Sequence, residues 1–200
     1  QEKQFTTLGQ NITALEVDGT FDDCQALVKN AFMDADLNAH MKLTSANSIN
    51  VARWLPQQIY YVLALKQWLK INSENPVICV PSGNFGNICA GILAHHRGLP
   101  VEHFIAACNV NDVVPEYLRT EILKPKETVA TISNAMDVGD PSNFVRILEL
   151  FEKEFNQVKS KLSGYTIDDE ETLKTIERVE KDYGYVLDPH GAVAFVALEK

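Results

Sequence analysis

The stretch VICVPSGNFGNICAGILAHHRGLP, residues 77–100, joins a short β-type run to a helix through two glycines and two asparagines. Phe85, Ile88, Cys89, Ile92 and Leu93 fall at i, i+3, i+4, i+7 and i+8, which makes one apolar helix face. Gly98 and Pro100 close that helix. A strand feeding a helix through so short a connection is half of a βαβ unit, and such units build parallel sheets covered on both faces. The helix also aims its free N-terminal amides and positive dipole end at the turn. Gly83 and Gly86 carry no Cβ, so the amides of Gly83, Asn84, Phe85, Gly86 and Asn87 are able to converge on a phosphate. The turn matches neither G-x-G-x-x-G nor G-x-x-x-x-G-K-S/T. A phosphate cradle and a plain βα turn that needs glycines both remain open.

The rest of the chain repeats the strand–helix alternation. NITALEV reads as a strand after a helix that ends at Gly9, and DGTFDDCQALVKNAFMD as a helix with Phe21, Cys24, Leu27, Val28, Ala31 and Phe32 on one face. MKLTSANSIN reads as a strand and VARWLPQQIYYVLALKQWLKI as a long buried helix, which Pro56 either kinks or starts. PVICVPSG and VEHFIAACNV are two further strands, and Asn111 or Asp112 is placed to cap VVPEYLRT. Residues 121–140 read as irregular. PSNFVRILELFEKEFNQVKS reads as one helix with Pro141 in its first turn, TIDDEETLKTIERVEKDYG as a helix ended by glycine, and Asp188 with Pro189 as the start of the last helix. The expected fold is a single α/β domain over residues 1–200, three-layered, with a mostly parallel twisted sheet. Ligands in such sheets bind beyond the carboxyl ends of the strands, which points to TSANS, PSGNFGN and CNVND as one rim.

Composition removes several alternatives. With 18 Lys and Arg against 27 Asp and Glu, the net charge is −9, too negative to follow a nucleic-acid backbone. No apolar run approaches the roughly 20 residues that span a bilayer, and a soluble, cytoplasmic protein is expected. Cys24, Cys79, Cys89 and Cys108 have no C-x-x-C spacing and read as small buried hydrophobes rather than a disulfide or metal site. No metal is expected. The chain opens on Gln1 within a helix-like QEKQFTTLG and closes inside the apolar-periodic AVAFVALEK, so an excerpt of a longer polypeptide is expected.

Around the rim, Ser45, Asn47, Ser48 and Asn50 are placed either to bind a substrate carboxylate or phosphate or to cap the next helix. Arg53 is placed to meet a phosphate or to make a surface ion pair. Asn109, Asn111 and Asp112 either face the cleft or serve as cap residues. His95 and His96 suit a helix C-terminus and point about 100° apart, which disfavours a shared metal. His190 either approaches the site or lies on the surface of a first helical turn.

PSGNFGNICAGILAHHRGLP, FIAACNVNDVVPEYL, TISNAMDVGDPSNFVRILELF, LTSANSINVARWLPQQIYYVLAL and DPHGAVAFVAL together resemble the threonine synthase family. These are pyridoxal-phosphate enzymes of the tryptophan-synthase β-type fold, fold type II. Related dehydratases and cysteine synthases carry a more glycine-rich loop than Asn-Phe-Gly-Asn. The resemblance covers nearly the whole chain and implies that Gly83, Asn84, Phe85, Gly86 and Asn87 hold the phosphate of pyridoxal 5'-phosphate. It implies O-phospho-L-homoserine as substrate, with Ser45, Asn47, Ser48, Asn50, Arg53 and Asn111 as candidate contacts, and the remainder of the same polypeptide as partner. A dehydratase-like relative and a noncatalytic phosphate-binding domain are the alternatives.

Such chemistry needs a lysine that forms a Schiff base. Lys29, Lys42, Lys66 and Lys70 do not match the family's lysine motif, which the resemblance places before Gln1. Mixing these 200 residues with pyridoxal phosphate and reducing with borohydride is therefore expected to leave no single labelled lysine; stoichiometric labelling at one site would overturn this.

Overall fold

The computed structural model describes residues 9–200. The opening helix expected up to Gly9 lies outside them; Gly9 itself has φ 137°. The chain divides into two compact units at Lys42–Leu43.

In the first unit, helix α1 (Phe21–Met33) begins with a capping box. The Thr20 backbone N–H donates to Asp23 (2.7 Å), and the Asp23 N–H donates to the Thr20 hydroxyl (3.3 Å). Helix α2 (Ala35–His40) follows, with Asp34 Oδ1 accepting from the Asp36 and Leu37 amides. The strand expected at NITALEV does not form: residues 11–17 are exposed coil. Alternation supplies a face, but a strand also needs a neighbouring strand for its hydrogen bonds.

In the second unit the strand expected within residues 41–50 is likewise coil and turn. Helix α3 (Val51–Trp54) starts at Asn50, whose Oδ1 accepts from the Ala52 N–H. Pro56 separates it from helix α4 (Gln58–Trp68), so the long helix expected here is two, because proline has no N–H to continue the ladder.

Strand β1 (Val77–Pro81), helix α5 (Gly86–His96) and strand β2 (His103–Cys108) form the βαβ unit read from the sequence. Strand β3 (Leu162–Thr166) pairs with β2, giving a parallel sheet in the order β1-β2-β3 with Val77 opposite His103 and Phe104 opposite Leu162. LSGYT carries almost no strand signal. Its Gly164 allows close approach, since a Cβ there would lie 3.1–3.3 Å from Leu118 and Pro115.

Helix α6 (Val113–Thr120) leads to residues 121–140, which are irregular except for a 3-10 turn at Asn134–Met136. The single helix expected from Pro141 is instead α7 (Phe144–Leu150) and α8 (Phe155–Lys161). Glu152 and Lys153 have positive φ between them, and Phe151 turns inward onto the His96 ring (centroids 4.8 Å apart). Helix α9 (Asp169–Tyr183) ends at Gly184 with φ 65°, and α10 (Pro189–Glu199) starts at Asp188, both as expected.

The central strand β2 fixes the layers. Phe104, Ala106 and Cys108 face a core with Ile88, Ile92, Phe144 and Ile147, while Ile105 and Ala107 face a second core with Met136, Val193, Val196 and Ala197. Helices therefore cover both faces, the three-layer arrangement expected. Each large side chain so buried contributes roughly 1.5–3 kcal/mol.

Helices α4 and α5 pack face to face at Gly91, where a Cβ would sit 2.3 Å from the Tyr61 ring. Gly91→Ala is expected to lower stability by about 1–3 kcal/mol through overpacking. Urea unfolding measures it, and an unchanged midpoint would contradict the close contact.

Candidate phosphate-binding site

Residues 82–85 link β1 to α5 at the carboxyl end of the sheet. The Ser82 N–H still belongs to the sheet, donating to Ala107 O (2.8 Å), and the Cys89 N–H is the first to enter the helix ladder, donating to Phe85 O (3.1 Å). Between them the amides of Gly83, Asn84, Phe85, Gly86, Asn87 and Ile88 meet no acceptor among the described residues. Six consecutive donors stand at the N-terminus of an 11-residue helix, where the backbone dipoles already favour an anion.

The left-handed residue of this turn is not a glycine. Phe85 has φ 62° and ψ 12°, whereas neither Gly83 nor Gly86 has positive φ. Such a conformation is costly for an aromatic residue and persists only where its surroundings hold it. Phe85 is 4% exposed and meets Phe144 edge-on (5.5 Å, 70°), and Phe144 in turn meets Tyr117 (5.3 Å). The glycines serve proximity instead. A Cβ on Gly83 would lie 2.6 Å from Met136 Cα, and one on Gly86 would lie 3.0 Å from Ser48 Cβ.

Neutral amides brace the turn. Asn84 Oδ1 accepts from Ser142 N–H (2.7 Å) and the Ser142 hydroxyl (2.8 Å), and Asn84 Nδ2 donates to Ser48 Oγ (3.2 Å). The fully buried Asn143 donates through Nδ2 to Ser48 Oγ (3.0 Å) and Asn84 O (2.9 Å). Arg146 donates to Asn143 Oδ1, to Ser48 O (3.1 Å) and to Ile49 O (2.5 Å), with its guanidinium over the Trp54 ring. Asn87 Oδ1 accepts from the Tyr61 hydroxyl (2.5 Å), which ties the start of α5 to α4.

The other rim residues divide into two groups. Ser48 lies against the turn, its hydroxyl donating to Asn47 Oδ1 (3.1 Å), and Arg53 donates one guanidinium bond to Ala46 O. Asn47 Nδ2 has no acceptor among the described residues. Ser45 and Asn50 shape the loop: the Asn47 N–H donates to Ser45 Oγ, Asn50 Nδ2 donates to Ser45 O, and Asn50 caps α3. Asn111 is 6% exposed, and its side-chain amide is held by Val129, Asn109 and Asp137. Asp112 precedes α6 but its side chain makes no cap bond; it pairs with Lys126 (2.6 Å) and accepts from Thr166 (3.0 Å).

Sequence reasoning passed over Asn84's side-chain role, Ser142, Asn143 and Arg146. Their only signal is a polar cluster, SNFVR, entering an otherwise apolar helix. Burial pushes the Cys79 and Cys89 thiols up to about 11 and Cys108 higher still, so none of these three is poised as a nucleophile. Lys29, Lys42, Lys66 and Lys70 are exposed.

A strand-end turn with six unpaired amides, on a parallel sheet covered by helices, defines a class. The chain belongs to the pyridoxal-phosphate dependent enzyme family, whose description matches residues 1–200. It is 50% identical over 198 residues to threonine synthase of Escherichia coli (strain K12), covering 99% of this chain and 46% of that protein. It is 35% identical over 240 residues to threonine synthase of Saccharomyces cerevisiae, covering 100% and 47%. Among solved structures, it is similar to threonine synthase from Escherichia coli (TM-score 0.90, 49% identity, 99% of this chain and 46% of that one). It is also similar to PLP-bound threonine synthase from Brucella melitensis (TM-score 0.83, 33% identity, 100% and 48%). The chain thus spans about half the length of the curated relatives it matches. A maize serine racemase, 17% identical with TM-score 0.53, shares the fold alone.

The residues present fit a phosphate ester. Unpaired amide donors suit a dianion, and the missing Cβ atoms at 83 and 86 let the walls close around the turn. Gly83→Ala places a methyl carbon against the Met136 backbone, which cannot rotate aside. The variant of the full-length protein is expected to bind pyridoxal phosphate at least about tenfold more weakly, equivalent to 1.4 kcal/mol. Fluorescence titration of the cofactor checks this; wild-type affinity would refute it.

Proposed function

We propose that the amides of Gly83, Asn84, Phe85, Gly86 and Asn87 hold the phosphate of pyridoxal 5'-phosphate. We further propose that this chain forms part of a threonine synthase, which converts O-phospho-L-homoserine and water to L-threonine and phosphate. The observation that carries the cofactor assignment is the run of six amides without acceptors at a strand end. Identity near 50% to threonine synthases favours this reaction over a dehydratase-like one or a noncatalytic binding domain.

Bound there, the cofactor supplies an electron sink for charge developing at the substrate's Cα and Cβ. The chain's own residues bind and orient. The turn amides and the α5 dipole fix the phosphate end. Asn84, Asn143 and Arg146 hold the Ser48 loop at a set distance from it. Of the candidate substrate contacts, Asn47, Ser48 and Arg53 keep donors free or redirectable toward a second anion, the substrate's own phosphate. Ser45, Asn50 and Asn111 act by shaping the rim. The lysine nucleophile comes from the remainder of the polypeptide, with which residues 1–200 would complete one α/β domain. A cytoplasmic location is part of this proposal; among the described residues no helix is long and apolar enough to cross a membrane.

The full-length protein is expected to release phosphate and threonine from O-phospho-L-homoserine. Arg53→Gln should raise KM at least about tenfold with a smaller effect on kcat, as loss of ground-state binding predicts. Ammonia release from serine or threonine, with no turnover of the phosphorylated substrate, would instead establish the dehydratase reading.

A further inference from the structure

The turn is backed by a segment far away in sequence. Met136 Cα lies 2.6 Å from where a Gly83 Cβ would be, so the 3-10 turn Asn134–Met136 sets how the first cradle amide is presented. One face of that turn is tied by Asn109, Thr131 and Asp137, with Asn109 Nδ2 donating to Asp137 (2.8 Å) and Thr131 Oγ1 donating to Asp137 (2.7 Å). The amide of its second residue is held otherwise. The Ala135 N–H donates to His190 Nε2 (3.2 Å), which reaches over from the first turn of α10.

An imidazole nitrogen that accepts from an amide carries no proton, so its partner nitrogen must hold the ring's proton. His190 Nδ1 lies 3.0 Å from Asp188 Oδ1, an acceptor with no proton to give, so Nδ1–H donates there. That same oxygen accepts from the His190 and Gly191 amides as the cap of α10. Partial burial would raise the Asp188 carboxyl. The bonds from Gly191 and His190 outweigh it and hold Asp188 below its ordinary value, so the acceptor stays ionised at neutral pH. His190 is 30% exposed at its side chain, mostly shielded from solvent.

We propose that His190 is a positioning residue for cofactor binding: held by Asp188 as the neutral Nδ1–H tautomer, it latches Ala135 so that Met136 closes against Gly83. The inference rests on the phosphate-cradle reading for its consequence, but the latch itself is independent of it. Gln places an amide oxygen near the position of Nε2, whereas Asn places its polar group near Nδ1 and Ala supplies neither.

The test uses the full-length protein and three variants: His190→Gln, His190→Asn and His190→Ala. Pyridoxal phosphate affinity by fluorescence titration is expected to fall about tenfold or more in the Asn and Ala variants and to be largely restored in the Gln variant. Thermal melts run alongside, since a merely structural role would lower Tm and affinity together in all three. With 15N-histidine labelling, the resonance missing from His190→Gln should show an unprotonated Nε2 and a protonated Nδ1, and Ala135 amide exchange should quicken in His190→Ala. An Nε2–H tautomer, or equal affinity in all three variants, would overturn the proposal. If even wild type bound no pyridoxal phosphate, the cradle reading would fail, and tautomer and amide exchange alone would still decide the latch.

Discussion

A left-handed phenylalanine governs the site. Phe85 directs the amides on both sides of it out of the sheet and helix ladders, leaving six donors without acceptors among the described residues. Backbone strain of this kind costs of order 1–3 kcal/mol. The edge-on stack of Phe85, Phe144 and Tyr117 offsets it by burying the ring that the strained backbone carries. Fold and site are coupled here, because the same ring belongs to the larger core of the sheet.

The walls of the turn come from two distant segments pressed onto its two glycines, Met136 onto Gly83 and Ser48 onto Gly86. The Ser48 wall is fastened mainly by neutral side-chain amides. An Asn carries donor and acceptor together, so Asn84 and Asn143 join three segments without placing a formal charge beside the cradle. The one cation in this network, Arg146, spends its donors on two carbonyls and an amide oxygen. This leaves the electrostatics of the turn to the helix terminus, whose field is fixed by the backbone.

Much of the fold was legible. The β1–α5–β2 unit, the capping box of α1, the glycine end of α9 and the Asp188-Pro189 start of α10 rest on local rules that tertiary contacts did not override. NITALEV and MKLTSANSIN misled because alternation and β-branching describe a strand's faces and say nothing of its neighbours. LSGYT went unread for the converse reason: it is a strand because it pairs with β2 and because α6 packs closely over Gly164, not because of propensity. The helix expected from Pro141 breaks where Phe151 is buried in the core and Glu152 and Lys153 take positive φ.

The sequence alone determined that a strand, a glycine turn and a helix would follow one another at residues 77–96, because periodicity and the absence of Cβ atoms are properties of neighbours in the chain. Which residue takes the left-handed conformation, which backbone fills the space at Gly83, and which nitrogen of His190 bears the proton were decided only in three dimensions. Each depends on a contact between segments tens of residues apart, and no local preference encodes which distant group will arrive.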